Sequence, residues 1–247
     1  MQIPFELKIA GRILNIHLIL EYVAFFVAYQ YYVHLRKGRA DLISSGNRLS
    51  IILGAAVGAF LGSRIIGFLE NPAIELTAEN IMLLVNVKTI MGGLFGGLLG
   101  VEIAKWVLKE EQSSGDLFTL PIILGIIIGR IGCFLSGIKE FTYGNVTSFF
   151  TGMDLGDGLK RHPVALYEML FLMVLFFLLR RLWAQNKLED GHLFQLFMIC
   201  YFGFRFFIEF IKPNTFFIVG LSSIQWLCLV CFLYYRKTIT QFVKYAY

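Results

Sequence analysis

Residues 117–138 read LFTLPIILGIIIGRIGCFLSGI, a run of 22 positions whose only charge is Arg130. At about 1.5 Å of rise per residue, a helix of this length matches the roughly 30 Å hydrocarbon layer of a bilayer. No polar stripe marks a water-facing side, so the run predicts a helix that spans a membrane. The rest of the chain has the same character. Of its 247 residues, 57% are hydrophobic, 16% are charged and 25 are Phe, and the mean hydropathy is +0.69. A soluble domain carries about 25% charged residues. Working outward from 117–138, further apolar runs lie at about 16–35, 49–69, 89–109, 163–182, 192–211 and 216–235. The predicted fold is all-α: a polytopic membrane protein, a bundle of about seven transmembrane helices forming one transmembrane domain over 1–247. The connection at about 139–162 carries Gly144, Gly152, Gly156 and Gly158 and reads as an irregular outer-side loop.

Charge gives the expected orientation. Arg36, Lys37, Arg39 and Arg48 follow the first span, Lys105 and Lys109 edge the third, Arg180, Arg181 and Lys187 follow the fifth, and Arg236, Lys237 and Lys244 end the chain. Glu70, Glu75, Glu79, Asp154 and Asp157 fall on the other side. The positive-inside rule then places the N-terminus outside and the C-terminus in the cytoplasm. Residues 1–15 mix Gln2, Pro4, Glu6, Lys8, Arg12 and Asn15 and do not read as a cleavable signal. The net charge of +5 is spread over loop ends, which argues for the bilayer as partner and against nucleic acid. Cys133, Cys200, Cys228 and Cys231 all sit in apolar runs, so the pair Cys228 and Cys231 reads as packed thiols rather than a redox or metal motif.

Glycines recur every four residues: Gly54, Gly58 and Gly62 in the second span, Gly92, Gly96 and Gly100 in the third with Gly93 and Gly97 beside them, and Gly125 and Gly129 in the fourth. This spacing lets helix backbones approach closely in lipid. The functional alternative is that the missing side chains leave room for a lipid substrate.

Ionisable residues inside spans are costly and therefore informative. They are Glu21, Arg64, Glu102, Arg130, Glu168, Arg205 and Glu209. All but Glu102 fall towards the outer face, as does His17. Arg205 and Glu209 are four apart and share a helix face; Arg64 and Arg130 have no such neighbour. Three arginines at one depth need anions. A guanidinium fork suits the phosphate of a lipid head group in the outer leaflet; the alternative is inter-helix ion pairing with Glu168 or Glu21. The phosphate reading requires the guanidiniums to gather at one height and not to be closed off from lipid, each by its own carboxylate. Arg161 and His162 precede Pro163, which suits a first helical turn, and His162 is placed to exchange protons near neutral pH.

At these residues the chain resembles the prolipoprotein diacylglyceryl transferases. Residues 129–137, GRIGCFLSG, resemble the family's glycine–arginine signature, and residues 161–168, RHPVALYE, match the segment that opens a late helix. Residues 203–213, GFRFFIEFIKP, resemble its arginine–glutamate helix; 60–65, FLGSRI, and 96–101, GGLLGV, resemble its earlier glycine-rich elements. The matches run in family order across about residues 55–215. The resemblance implies transfer of the diacylglyceryl group of phosphatidylglycerol to the lipobox cysteine thiol at a prolipoprotein signal peptide, with release of glycerol phosphate and an active site towards the outer leaflet. It makes Arg130 and Arg205 the critical arginines, supported by Arg64, Glu209 and Glu140. Substrate-binding positions are Arg64, Arg130, Cys133, Ser136, Gly137, Gly144, Arg161, Tyr167, Glu168, Gly92, Gly93, Gly96 and Gly97. Neither metal nor other cofactor is implied. Glu209, Glu140 and His162 remain open as proton acceptors.

The chain departs from the family pattern at several points. Cys133 and Ser136 stand where the family has asparagines, and Phe95 or Met91 stands where it has a histidine, depending on the glycine pair taken as anchor. The early-span tyrosine has Tyr22 as one candidate. These departures keep open a non-catalytic relative that binds phospholipid or lipoprotein. A transporter is the other competitor, but paired interrupted spans are not seen in the sequence.

Overall fold

The computed structural model describes every residue except 1–2, 6, 10–11, 38–42, 71–86, 186–187, 215–217 and 246–247. Arg39, Glu75, Glu79 and Lys187 of the orientation argument, and the first two residues of the expected seventh span, lie outside the described residues. Among the described residues the α-helices are α1 (Ile16–Lys37), α2 (Ser45–Leu69), α3 (Ile90–Leu108), α4 (Asp116–Ser136), α5 (Val164–Gln185), α6 (His192–Ile208), α7 (Ser223–Tyr234) and α8 (Arg236–Tyr245). Among the described residues five helices, α1 to α4 and α6, are long and apolar enough to cross a membrane. The protein is an all-α, polytopic membrane protein. Its apolar side chains face outward: Phe25 is 70% exposed and Trp106 81%, which only a lipid solvent tolerates over so many helices.

Helix starts follow from local chemistry. Ser44 accepts from the Asn47 N–H at the start of α2 and Thr89 from the Gly92 N–H at the start of α3, each satisfying an amide with no partner inside its helix. At α7, Ser222 and Gln225 exchange side-chain and backbone bonds in a capping box. Asp116, the first residue of α4, accepts from the Gly191 and Phe194 amides at the start of α6, at 2.7 and 3.0 Å.

Two compact units are each described by themselves. The first comprises Met1–Ala40, Ser114–Phe197 and Phe210–Pro213. In it α4 packs between α1 and α5, with Leu120, Ile123, Leu172 and Leu179 buried and Tyr32 of α1 stacked on Phe118 of α4. The second comprises Asp41–Ser113, Met198–Glu209 and Asn214–Tyr247. Its main contact is α2 against α3, and Met198, Tyr201, Phe202, Ile224 and Cys228 are buried in it.

The α2–α3 contact is made by bare backbone. A Cβ built on Gly58 or Gly96 runs into the carbonyl of the other, and one on Gly62 or Gly92 does the same. Gly92 and Gly96 are thus committed to helix contact. Cβ atoms on Gly93 and Gly97 meet Ala59, Ser63 and Ala55 only at 3.5 Å or more. An apolar groove of about 620 Å³ runs along this seam, lined by Val57, Leu61 and Ile65 of α2 and Leu99, Ile103 and Val107 of α3 among others.

Two expectations change. The run 216–235 is not one long helix: α7 starts only at Ser223, because Val219 and Gly220 take positive φ and the capping box sets the first turn. At 12 residues α7 spans about 18 Å, short of the hydrocarbon thickness. Beyond Tyr235, α8 continues with Arg236 and Lys237. The loop at 139–162 is also more ordered than its glycines suggested. It holds a ribbon of β3 (Met153–Asp154) and β4 (Lys160–Arg161), paired Met153 to Arg161 and Asp154 to Lys160. A second short ribbon, β1 (Leu7–Ile9) with β2 (Arg12–Leu14), precedes α1.

Gly96→Ala should destabilise the protein by about 1–3 kcal/mol, the scale of an overpacking insertion, because its methyl meets a carbonyl that cannot move alone. Gly46→Ala, with nothing within 4 Å of its Cβ, should be neutral or slightly stabilising. Thermal unfolding of both variants in the same detergent checks the contrast.

Candidate functional site

In the first unit, residues distant in sequence meet at one end of the three packed helices. Arg130 lies late in α4, His17 in the first turn of α1 and Glu168 in the first turn and a half of α5. The Arg130 Nε lies 2.8 Å from Glu168 Oε1, and Glu168 is fully buried. Of the two readings of Arg130, the inter-helix ion pair with Glu168 is therefore realised. Arg130 Nη1 donates to Cys133 Sγ at 3.7 Å, one turn on along α4. On its other side Cys133 Sγ lies 3.5 Å from His17 Nε2, and His17 Nδ1 lies 3.4 Å from Glu140 Oε1. The imidazole fits because Gly132 has no side chain: a Cβ there would stand 3.2–3.3 Å from His17.

The end of α4 shapes the next turn. Ser136 is buried as its last residue, and Gly137 follows at φ +58°, a conformation that favours glycine. A Cβ at Gly137 would also strike the Leu155 carbonyl. The chain then makes a short 3₁₀ turn, Gly137–Lys139, and delivers Glu140. A small apolar pocket beside this turn is lined by Cys133, Phe134, Gly137, Tyr143, Leu155 and Pro163 among others.

The loop residues form a separate set. Arg161 pairs with Asp157 at 2.7 Å and lies over the Tyr143 ring at 5.1 Å. That guanidinium holds the Asp157 carboxyl below the usual carboxylate range, first through the hydrogen bond itself. Gly144 donates its amide to the His162 carbonyl at 2.9 Å, an approach that any side chain at 144 would block. His162 Nδ1 is 3.1 Å from the Tyr167 hydroxyl, which also bonds to Thr151. Arg161, His162, Gly144 and Tyr167 thus hold the ribbon and its connections to the start of α5.

In the second unit, Arg205 pairs with the fully buried Glu209. Glu209 opens a 3₁₀ turn, Glu209–Ile211, that tightens the end of α6, and Asn214 donates to both its carboxylate and its carbonyl. Arg64 of α2 donates to the Val87 carbonyl at 2.9 Å and stacks over Phe60, so it braces the approach to α3. Phe95 packs against Phe202 and Tyr234, and Met91 is fully buried. Both positions considered for the family histidine are therefore apolar packing sites.

Two participants were not read as site residues in the sequence. His17 was read only as lying in the outer half of the first span, and the fold shows it against Cys133 and Glu140. Asn214, directly after the IKP that ends the arginine–glutamate motif, had only that adjacency as a signal. All four cysteines are free thiols. Among the described residues, no group of three or more His, Cys, Asp or Glu side chains is placed to hold a metal ion.

Comparison with known proteins puts this arrangement in a family context. The family model described as prolipoprotein diacylglyceryl transferase matches residues 7–239. A protein of Nitratidesulfovibrio vulgaris (strain DP4) named phosphatidylglycerol–prolipoprotein diacylglyceryl transferase is 33% identical over 191 residues, covering 73% of this chain and 66% of its own length. Proteins of the same name from Cupriavidus pinatubonensis and Coxiella burnetii are 30% identical over 230 residues and 32% over 198. They cover 85% and 76% of this chain, and 80% and 69% of their own lengths. The chain thus spans about two thirds of the Nitratidesulfovibrio relative.

Glu168→Ala should destabilise the protein by about 3–5 kcal/mol, since it leaves the Arg130 charge buried without its carboxylate. Glu168→Ala combined with Arg130→Met should recover much of that loss. Unfolding titrations in mixed micelles measure both.

Proposed function

The chain belongs to the prolipoprotein diacylglyceryl transferase family of multi-pass bacterial membrane transferases, and from that premise we propose that it carries out the reaction named for its relatives. It takes phosphatidylglycerol from the outer leaflet, moves the diacylglyceryl group to the lipobox cysteine thiol of a prolipoprotein, and releases glycerol phosphate. The N-terminus lies outside and the C-terminus in the cytoplasm, as the surviving loop charges suggest.

The observation that carries this reading is the meeting of two family-like segments at one buried point. GRIGCFLSG supplies Arg130, RHPVALYE supplies Glu168, and 38 positions of chain separate them. Glu168 presents the guanidinium at a defined angle beside Cys133. The pair is neutral before the lipid arrives, so a phosphate must share a guanidinium that is already engaged through Nε. The remaining nitrogens offer the directional donors that a phosphate ester needs. As the bond from the glyceryl carbon to the phosphate oxygen breaks, charge grows on the leaving glycerol phosphate, and Arg130 stabilises it where little water competes. Arg205, fixed by Glu209 and Asn214, is the second guanidinium that transfer requires. Ser136, Gly137, Gly144, Arg161, His162 and Tyr167 are the binding positions proposed on the first unit, and Arg64 is the one proposed on the second. The groove along the α2–α3 seam, lined by Gly58, Gly62, Gly96 and Gly100 among others, gives room for an acyl chain, consistent with a lipid substrate.

The purified protein, incubated with phosphatidylglycerol and a lipobox peptide, should add one diacylglyceryl group to the peptide, read by mass spectrometry. Arg130→Ala and Arg205→Ala should each abolish the gain while inserting normally, and Arg205→Lys should fail as well because a point charge lacks the fork. Full activity in any of the three would contradict the assignment. Phospholipid bound without turnover by the parent protein would favour the non-catalytic relative.

A further inference from the structure

We propose that Glu140, His17 and Cys133 form a proton relay that converts the acceptor thiol into a thiolate. This inference rests on the transfer reaction proposed above and supplies its missing proton acceptor. The geometry is a chain of three titratable groups, two from the end of α4 and the turn after it and one from α1, ordered carboxylate, imidazole, thiol. An ionised carboxylate only accepts hydrogen bonds, so Glu140, 3.4 Å from Nδ1, makes that nitrogen the N–H. The lone pair is thereby left on Nε2, the nitrogen that faces Cys133 Sγ at 3.5 Å. On the far side of the sulfur, Arg130 Nη1 donates at 3.7 Å. A sulfur between an imidazole lone pair and a guanidinium donor is arranged to lose its proton, because the thiolate is held by a cation on each side once His17 is protonated.

The other ionisable groups around His17 are Glu21, one turn on along its own helix, and Glu168, reached through Arg130. Both are carboxylates. The placement is also economical for the reaction. The guanidinium assigned to the phosphate is the one that touches Cys133, so the proton is removed next to where the carbon–oxygen bond breaks.

The steps balance. Cys133 loses its proton to His17 Nε2, and the Cys133 thiolate then takes the proton of the acceptor cysteine. The acceptor sulfur forms its bond to the glyceryl carbon, the bond from that carbon to the phosphate oxygen breaks, and glycerol phosphate leaves with the electron pair. His17 returns the first proton to water. Transfer between two thiols is nearly thermoneutral, so the sulfur relays the proton without needing a strong base. His162, by contrast, is bound to Tyr167 and lies tilted beside Phe149 in the loop.

The test is the rate of peptide diacylglycerylation against pH for the parent, His17→Gln and Cys133→Ala. Both variants should lose about 100-fold or more in kcat with KM for phosphatidylglycerol little changed. Their rates should keep climbing with pH as the acceptor thiol ionises by itself near its ordinary value of about 8.5, where the parent has already levelled off. A parent-like pH profile in His17→Gln, or a loss confined to KM, would overturn the relay. So would a diacylglyceryl adduct on Cys133 itself, since the sulfur would then be a nucleophile. Should His17→Gln fail to fold, Glu140→Gln, at the more exposed end of the chain, should lower kcat about tenfold with the same extended pH rise, and an unchanged profile there overturns the relay equally. If the parent transfers nothing, the enzyme reading falls; if the parent transfers and the variants match it, only the relay does.

Discussion

A guanidinium buried among hydrocarbon-facing helices must be met by a carboxylate from another helix, and the pairing of Arg130 with Glu168 sets the terms for the rest of the first unit. Neither charge is tolerable there alone. Satisfying both draws the late turns of α4 onto the first turns of α5, and α1 then closes over the bare surface at Gly132. Once the helices are held in this register, His17, Cys133 and Glu140 have little freedom to be anywhere but beside the arginine. The chemistry proposed for the site is in this sense a by-product of how the charge is kept stable.

The second unit solves the opposite problem. Lipid gives no hydrophobic drive for helix association, and α2 and α3 meet through glycines whose backbones touch. Arg64 and Thr89 pin the far end of that pair by bonds to Val87 and to Ser63. Arg205 is paired within its own helix end, by a carboxylate four residues on and an asparagine that follows, a more local solution than the one α4 and α5 share.

Much of this was legible in the sequence because the membrane makes its demands in one dimension. Runs of about 20 apolar residues located α1 to α6, and the rarity of charges inside them pointed to Arg130, Glu168, Arg205 and Glu209. Four-residue glycine spacing indicated the helix pair, although it did not separate Gly92 and Gly96, where a Cβ would strike the α2 backbone, from Gly93 and Gly97, where a Cβ would make only ordinary contact with α2. Hydropathy alone hid the late start of α7, because the cap at Ser222 and the positive φ at Val219 are polar and backbone effects inside an apolar run. Hydropathy also gave no reason to link His17 to Cys133, 116 positions away. That link depends on which faces of α1 and α4 meet, which small residues such as Gly132 decide only in three dimensions.

The account rests on Arg130 touching the lipid phosphate while it remains paired with Glu168. Solid-state NMR of the protein in bilayers, with ¹⁵N in the arginine side chains and the natural ³¹P of bound phosphatidylglycerol, measures that contact directly through their dipolar coupling. The account predicts strong nitrogen–phosphorus dephasing at the Arg130 resonance, lost in Arg130→Lys and retained in Arg64→Lys. An Arg130 signal coupled to the Glu168 carboxylate but blind to phosphorus would contradict it.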